Sequence, residues 1–211
     1  EEFSYGVKTL EDAVELKSHL HKQLIEDRRP DLNYVVVGGG PTGIELAGAL
    51  PSYINNLLKN HGLPQRNYHI DLIEASPRLL PRMPKKISKR VKTRLKRLGI
   101  KIKLNTAVQA QTADALMVHD KPIRSHTVIW TAGVSNHSFF TEQGFQLASN
   151  HKVRVDQFLQ AEPGIYVIGD NADTPYSGMA QTALYDGKYI AHNLVRLADK
   201  RDPLPKKKKK P

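Results

Sequence analysis

The segment Asn33–Gly48 reads NYVVVGGGPTGIELAG. Gly38, Gly40 and Gly43 stand in the spacing G-x-G-x-x-G, with Gly39, Pro41 and Thr42 between them. That pattern holds a dinucleotide pyrophosphate when a buried strand precedes it and a helix follows. Gly38 lets the chain turn tightly. Gly40 removes a Cβ where a phosphate must approach, and Gly43 lets the helix pack close to the strand. The phosphates then meet the unbonded N–H groups and positive dipole end of that helix. Both flanks fit. Tyr34–Val37 is an apolar run suited to a buried parallel strand, and Ile44, Leu46, Ala47 and Leu50 follow the helical period.

A site of this kind also needs an acid at the end of the second strand, to accept hydrogen bonds from the adenosine ribose. Glu74 ends the run His69–Glu74 (HIDLIE). A carboxylate there repels a 2′-phosphate, which predicts NADH over NADPH; Arg78, close by, is the residue that could accommodate a 2′-phosphate. Glu74 lies 31 residues beyond Gly43 (74 − 43), against the ~20 of the simple fingerprint. The surplus is the polar loop Lys59–Asn67, which reads as an insertion. Glu45, in the first helical turn, either favours the helix dipole or hydrogen-bonds a nicotinamide amide. A second signal is Ile165–Asp173 (IYVIGDNAD). It predicts a buried strand ending at Gly169-Asp170, with a helix soon after Pro175. Asp170 either binds a ribityl hydroxyl or caps that helix, whose opening residues Met179–Ala183 would lie beneath an isoalloxazine ring.

The elements that must position these residues alternate. The pattern predicts a helix over Thr9–Arg29, capped by Thr9 with Asp12 and carrying Leu10, Val14, Leu20 and Leu24 on its apolar face, with Pro30 beyond it. Strand Tyr34–Val37, helix Pro41–Leu58 (ended or kinked by Pro51) and strand His69–Glu74 follow. Helix Lys85–Leu98 is closed by Gly99. Ile100–Leu104, Ala107–Gln111, Ala115–His119 and Lys121–Arg124 read as short antiparallel strands. Thr127–Thr131, Val153–Asp156 and Ile165–Ile168 read as further strands, and Ser177–Leu197 as a final helix. The residues after Asp202 read as a disordered tail. The fold class is therefore α/β, a parallel sheet with an inserted antiparallel meander.

Composition narrows the chemistry. The 211 residues contain no cysteine, so within them redox chemistry must come from a bound cofactor. No apolar run approaches the ~18–20 residues of a membrane span. The opening Glu1-Glu2 and the missing initiator Met suggest a piece of something longer. The net charge of +11 is concentrated in Lys206–Lys210 and in Lys85–Lys103. Arg90, Arg94 and Arg97 lie opposite Ile87, Val91, Leu95 and Leu98, as a solvated helix face or one attracted to an anionic membrane surface. The aromatic interleaving of a nucleic-acid platform is missing. The nine histidines form no metal pattern and read as surface or loop residues.

Taken together, these segments resemble the two-dinucleotide-binding-domain flavoproteins, the pyridine nucleotide–disulfide oxidoreductase superfamily. The resemblance runs from about Thr9 to Leu197 and rests on GGGPTGIELAG at Gly38–Gly48, LIEASPRLLP at Leu72–Pro81, VIWTAGV at Val128–Val134 and EPGIYVIGD at Glu162–Asp170. The insertion before Glu74 and the run Ala180-Gln181-Thr182-Ala183 look most like type II NADH dehydrogenases, although Tyr185 stands where their AQxAxQ signature has its final Gln. The resemblance implies a Rossmann-like fold in which residues 1–30 connect from an FAD domain, 31–150 bind NADH, 151–199 complete the FAD domain and 200–211 form a disordered basic tail. It implies FAD and NADH as cofactors, a quinone as acceptor, no catalytic side chain and no metal. The parent is expected to be cytoplasmic and peripheral on the inner face of the membrane. By resemblance Gly38, Gly39, Gly40, Pro41, Thr42, Gly43, Glu45 and Glu74 hold NADH, with the crossing strand Thr131, Ala132 and Gly133 beside it. Gly169 and Asp170 hold FAD, and Ala180 and Gln181 line the flavin and quinone side. The chain lacks a first G-x-G-x-x-G for the ADP half of FAD and the C-terminal membrane-anchoring region. Alternatives from the residues are an NADH reductase of a ferredoxin-like carrier and a non-catalytic NADH-binding module.

Overall fold

The computed structural model describes residues 3–28, 33–81, 83–133, 136–175 and 177–206. The chain forms two compact units, Glu1–Gly133 and Val134–Pro211. In the first, strands β1 (Asn33–Val37), β2 (His69–Ile73), β3 (Lys101–Lys103) and β7 (Thr127–Trp130) make one sheet in the order β3-β2-β1-β7. Every pair is parallel. Strands β4 (Val108–Gln111), β5 (Ala115–Val118) and β6 (Lys121–Arg124) form a separate antiparallel meander. The meander matches the expected one in three strands. The fourth, Ile100–Leu104, instead supplies the parallel edge β3: too short to show a period, it joins the sheet because it follows a crossover helix.

β1 explains its own sequence. Tyr34 and Val36 face a core built from Leu16, Leu20, Ala47, Ile54, Leu72 and Leu95. Val35 and Val37 face the opposite side, against Ile73, Leu116, Val118 and Val128. A strand covered on both faces has no polar positions to alternate with. Helix α1 (Leu10–His21) begins at Thr9, whose side chain accepts from the Asp12 N–H in a full capping box. The N–H groups of Lys8 and Thr9 hold the Asp12 carboxyl below its ordinary range. The helix continues as a π-helical turn over Lys22–Glu26; Arg29 and Pro30, its expected end, lie outside the described residues. Its buried stripe is Leu16, Leu20 and Leu24, whereas Leu10 and Val14 are exposed. Both sets keep an i, i+4 spacing, but Leu20 lies six positions after Val14, which turns the two sets to different sides.

Helix α2 (Pro41–Asn60) runs through Pro51 without ending there, its apolar stripe Ala47, Leu50, Ile54 and Leu58 held by the core. Helix α3 (Lys85–Arg97) closes at Gly99 as expected, with φ at +81° and the Ile100 N–H donating to the Leu95 carbonyl. His19 is a correction. It is not a surface residue but half-buried, stacked on Tyr5 at 4.3 Å with Nε2 2.9 Å from Thr127 Oγ1.

The second unit holds a short helix α4 (Phe139–Glu142), the hairpin β8 (Gln160–Glu162) with β9 (Ile165–Tyr166), and helix α5 (Ala180–Ala198). Val153–Asp156 is not a strand; Val153 makes only isolated bridges, to Leu147 and Ala172. Nor does Ile165–Ile168 form a buried strand: β9 has two residues and Ile165 is exposed. Asp202–Lys206, expected within a disordered tail, pack along α5. Asn193 bonds both the N–H and the carbonyl of Leu204, at 3.0 and 2.9 Å, and Lys206 pairs with the fully buried Asp186. Side-chain partners inside α5, invisible to a composition argument, hold this segment.

Asp71 is a buried acid in the interior strand β2, paired at 2.7 Å with Lys103 on β3. Replacing Lys103 with Met leaves that charge unpaired. We expect a loss of about 3 kcal/mol in urea unfolding, and recovery of most of it when Asp71→Asn is added.

Candidate functional site

The turn between β1 and α2 is the best-formed site in the first unit. Gly38 adopts φ +119°, open to glycine alone, and an added Cβ would meet Thr131 Oγ1 at 2.7 Å. Its N–H donates to the Ile73 carbonyl at 2.8 Å, so the turn leaves β1 tied to β2. A Cβ on Gly43 would stand 1.9 Å from the Gly38 carbonyl oxygen. The first turn of α2 therefore lies directly on the turn. Gly40 is the N-cap, and a Cβ there would meet nothing within 4 Å. Its outer side is open space. Pro41 at the first helical position has no N–H to lose. Thr42 and Gly43 present first-turn N–H groups that find no carbonyl within the helix. Pro41, Thr42 and Glu45 are exposed.

Glu74 follows β2 directly, and its carboxylate closes on the turn. Oε2 accepts from the Gly39 N–H and Oε1 from the Ser76 N–H, both at 2.6 Å. A carboxylate offers about four lone-pair positions, so acceptor capacity remains for ribose hydroxyls. The Gly39 carbonyl in turn accepts from the Leu80 N–H at 2.9 Å. On the opposite side Thr131 donates its hydroxyl to the Val37 carbonyl at 2.8 Å, with Ala132 and exposed Gly133 next in the chain. Arg78 does not reach outward for a 2′-phosphate: its guanidinium bonds the carbonyls of Leu80 and Met83 and the Ser88 hydroxyl, at 3.0, 2.7 and 2.8 Å. Sequence reasoning missed Ser76, Leu79 and Leu80, while Thr131 stands where the resemblance put it, beside the turn. The signal was the proline-bracketed run SPRLLP, apolar where a solvent loop would be polar.

In the second unit, Gly169 has φ +64° and lies against α5, where an added Cβ would meet the Ala183 Cβ at 3.1 Å. Its N–H donates to Asp186 Oδ2 at 3.3 Å. Asp170 is exposed and accepts from the Gly178 N–H at 3.1 Å. It stands in a short 3-10 turn, Gly169–Asn171, rather than at a strand end. Ala180 and Gln181 open α5 and are exposed. A separate cavity of about 760 Å³, lined in part by Tyr185, Tyr189, His192 and Leu204, includes none of these four residues. Burial pushes the Tyr189 phenol above its ordinary value.

Residues 1–187 match the pyridine nucleotide-disulphide oxidoreductase family, and the chain belongs to it. Among curated relatives it is 29% identical to a type II NADH:quinone oxidoreductase of Mycobacterium tuberculosis, over 92% of this chain and 46% of that protein. It is 30% identical to a probable mitochondrial NADH-ubiquinone oxidoreductase of Schizosaccharomyces pombe, over 80% of this chain and 34% of that one. The chain thus spans about half or less of the length of these relatives. Among solved structures, NDH2 from Plasmodium falciparum in complex with NADH aligns with a TM-score of 0.65 at 24% identity, over 80% of this chain and 39% of that one. A ferredoxin reductase from Rhodopseudomonas palustris aligns equally well, at 0.65 and 21% identity, over 95% of this chain and 47% of the other. These two likenesses carry the fold.

The two glycines separate packing from binding. Gly43→Ala is expected to disrupt the turn and lower the melting temperature of the first unit by several degrees, because backbone at 1.9 Å cannot yield cheaply. Gly40→Ala is expected to leave melting within about 1 °C while weakening dinucleotide binding, read by calorimetry.

Proposed function

We propose that this chain is the NADH-binding part of a FAD-dependent NADH dehydrogenase, with a second segment that contributes to the FAD site, and that the whole enzyme reduces a quinone. The observation that carries the reading is the turn Gly38–Gly43. Its outer side is open at Gly40, two N–H groups are unspent at the start of α2, and an acid sits at the end of β2. Pyrophosphate fits the first two features and the adenosine ribose the third. Glu74, with the 2′-phosphate-binding role of Arg78 removed, favours NADH over NADPH. Glu45, exposed in the first turn of α2, is the group offered to the nicotinamide amide.

The second unit fits FAD in the same terms. Asp170 offers an exposed carboxylate for ribityl hydroxyls, and Ala180 and Gln181 offer the open N-terminal turn of α5. When bound, FAD supplies acceptance of a hydride and its release as electrons. The protein's residues bind and orient; no side chain has to act as acid, base or nucleophile. No helix among the described residues is long and apolar enough to cross a membrane. A quinone acceptor brings the enzyme to a membrane surface, and α3 carries eight Lys or Arg and no acid in 13 residues, a face suited to anionic lipid. The same face favours a second reading, an acidic protein carrier as acceptor.

The test is anaerobic addition of NADH to the purified full-length flavoprotein, followed in the visible spectrum. Bleaching of the flavin bands by NADH and their recovery on adding a quinone support the reading; recovery only with an acidic carrier moves it to the second. Absence of NADH binding overturns it. Glu74→Ala removes acceptors for the ribose and for the Gly39 N–H. It should raise the NADH Kd roughly 10- to 150-fold, the equivalent of about 1.5–3 kcal/mol.

A further inference from the structure

The proposal concerns Arg78 and rests on the dinucleotide reading of the turn. Its guanidinium is spent inward. Besides the three bonds given above it donates to the Pro81 carbonyl. The buried Ser88 hydroxyl, which accepts from Arg78, donates to the Leu79 carbonyl at 2.6 Å. The carbonyls of residues 79, 80, 81 and 83 are thereby drawn towards one cation and its hydroxyl neighbour on α3. Converging carbonyl dipoles repel one another, so this loop needs a positive, many-armed donor at its centre. Guanidinium has five N–H groups in a plane, whereas an ammonium is a compact point charge. Among the described residues Arg78 forms no ion pair.

The loop is also strained. Leu80 has φ +48°, a left-handed conformation unfavourable for a side chain of its shape. That conformation is what turns the Leu80 N–H onto the Gly39 carbonyl at 2.9 Å. On its other side the Gly39 N–H is held by Glu74 at 2.6 Å. Leu79 is buried, and its Cδ2 would stand 2.8 Å from a Cβ on Gly39. The Gly39 residue, at the centre of the pyrophosphate turn, is thus gripped at both its donor and its acceptor.

We propose that Arg78 is a positioning residue: by gathering the carbonyls of Leu80, Pro81 and Met83 it holds the strained loop that fixes Gly39, and it does not read a 2′-phosphate. A turn fixed before binding loses less freedom when the pyrophosphate arrives. Losing Arg78 therefore weakens both nicotinamide dinucleotides alike.

The test compares wild type with Arg78→Met and the milder Ser88→Ala, both first checked for folding by circular dichroism. Without nucleotide, residue-resolved amide exchange should speed up at Gly39 and Leu80 in Arg78→Met while the β1 and β7 amides keep their protection. With NADH and NADPH as probes, both Kd values should rise by the same factor, about tenfold, equivalent to about 1.4 kcal/mol. In Arg78→Ala, millimolar guanidinium should restore much of the NADH affinity, a rescue that a general loss of packing would not give. If Arg78→Met does not fold, Ser88→Ala carries the comparison, with smaller changes in the same directions. Unchanged exchange at Gly39 and Leu80 overturns the proposal, as does loss of NADPH affinity alone. A wild type that binds neither nucleotide but shows the exchange effect in Arg78→Met defeats the dinucleotide reading and leaves the clamp standing.

Discussion

The contact between Gly43 and the Gly38 carbonyl is the constraint on which the first unit depends. At 1.9 Å for a virtual Cβ, it leaves no room for any side chain. The approach brings the start of α2 down onto the end of β1, with open space outside Gly40 at the N-cap. Thr131, one residue beyond β7, backs the turn through its hydroxyl on Val37. The site is made of backbone, and its accuracy comes from how closely three strand ends and one helix end can be brought together.

That closeness requires a rigid base. β1 is the central strand, bonded to β2 and β7 and buried on both faces, by α1, α2 and α3 on one side and the meander on the other. Covering a parallel sheet twice costs sequence freedom, since every β1 residue from Tyr34 to Val37 must be apolar or aromatic. Asp71 is matched inside by Lys103, and Thr127 by His19 and Gln23, while the buried Asn33 Oδ1 at the start of β1 has no partner among the described residues. Charge that is not matched goes outside. The eight basic residues of α3 form no ion pair among the described residues.

The second unit depends less on regular structure. Its hairpin is short, its small core of Val153, Val167 and Ala172 is flanked by Phe140 and Phe145, and its long helix is held to the chain by side-chain hydrogen bonds. The buried Asp186 accepts from the Gly169 N–H and pairs with Lys206, linking the GD turn to the C-terminal segment. These bonds hold residues 202–206 along α5 despite a composition of proline and charge.

The strand, glycine turn and helix around Gly38, the acid ending β2, the three-stranded meander and the close of α3 at Gly99 are legible in the order of the residues alone. Each of these is a local pattern: two periods, an N-cap or a glycine at a forced backbone angle, read within a dozen residues. Long-range packing accounts for the rest: residues 101–103 pair in parallel, Pro51 sits inside α2, Leu10 and Val14 face water, and Arg78 turns inward onto four neighbours instead of outward to a phosphate. Those outcomes are settled by partners distant in sequence. Pairing partners set strand direction, packing against the sheet outweighs the proline and the helical stripe, and a cation goes where converging carbonyls leave it the most bonds. None of these energies is a property of the local residues, and so no local pattern could announce them.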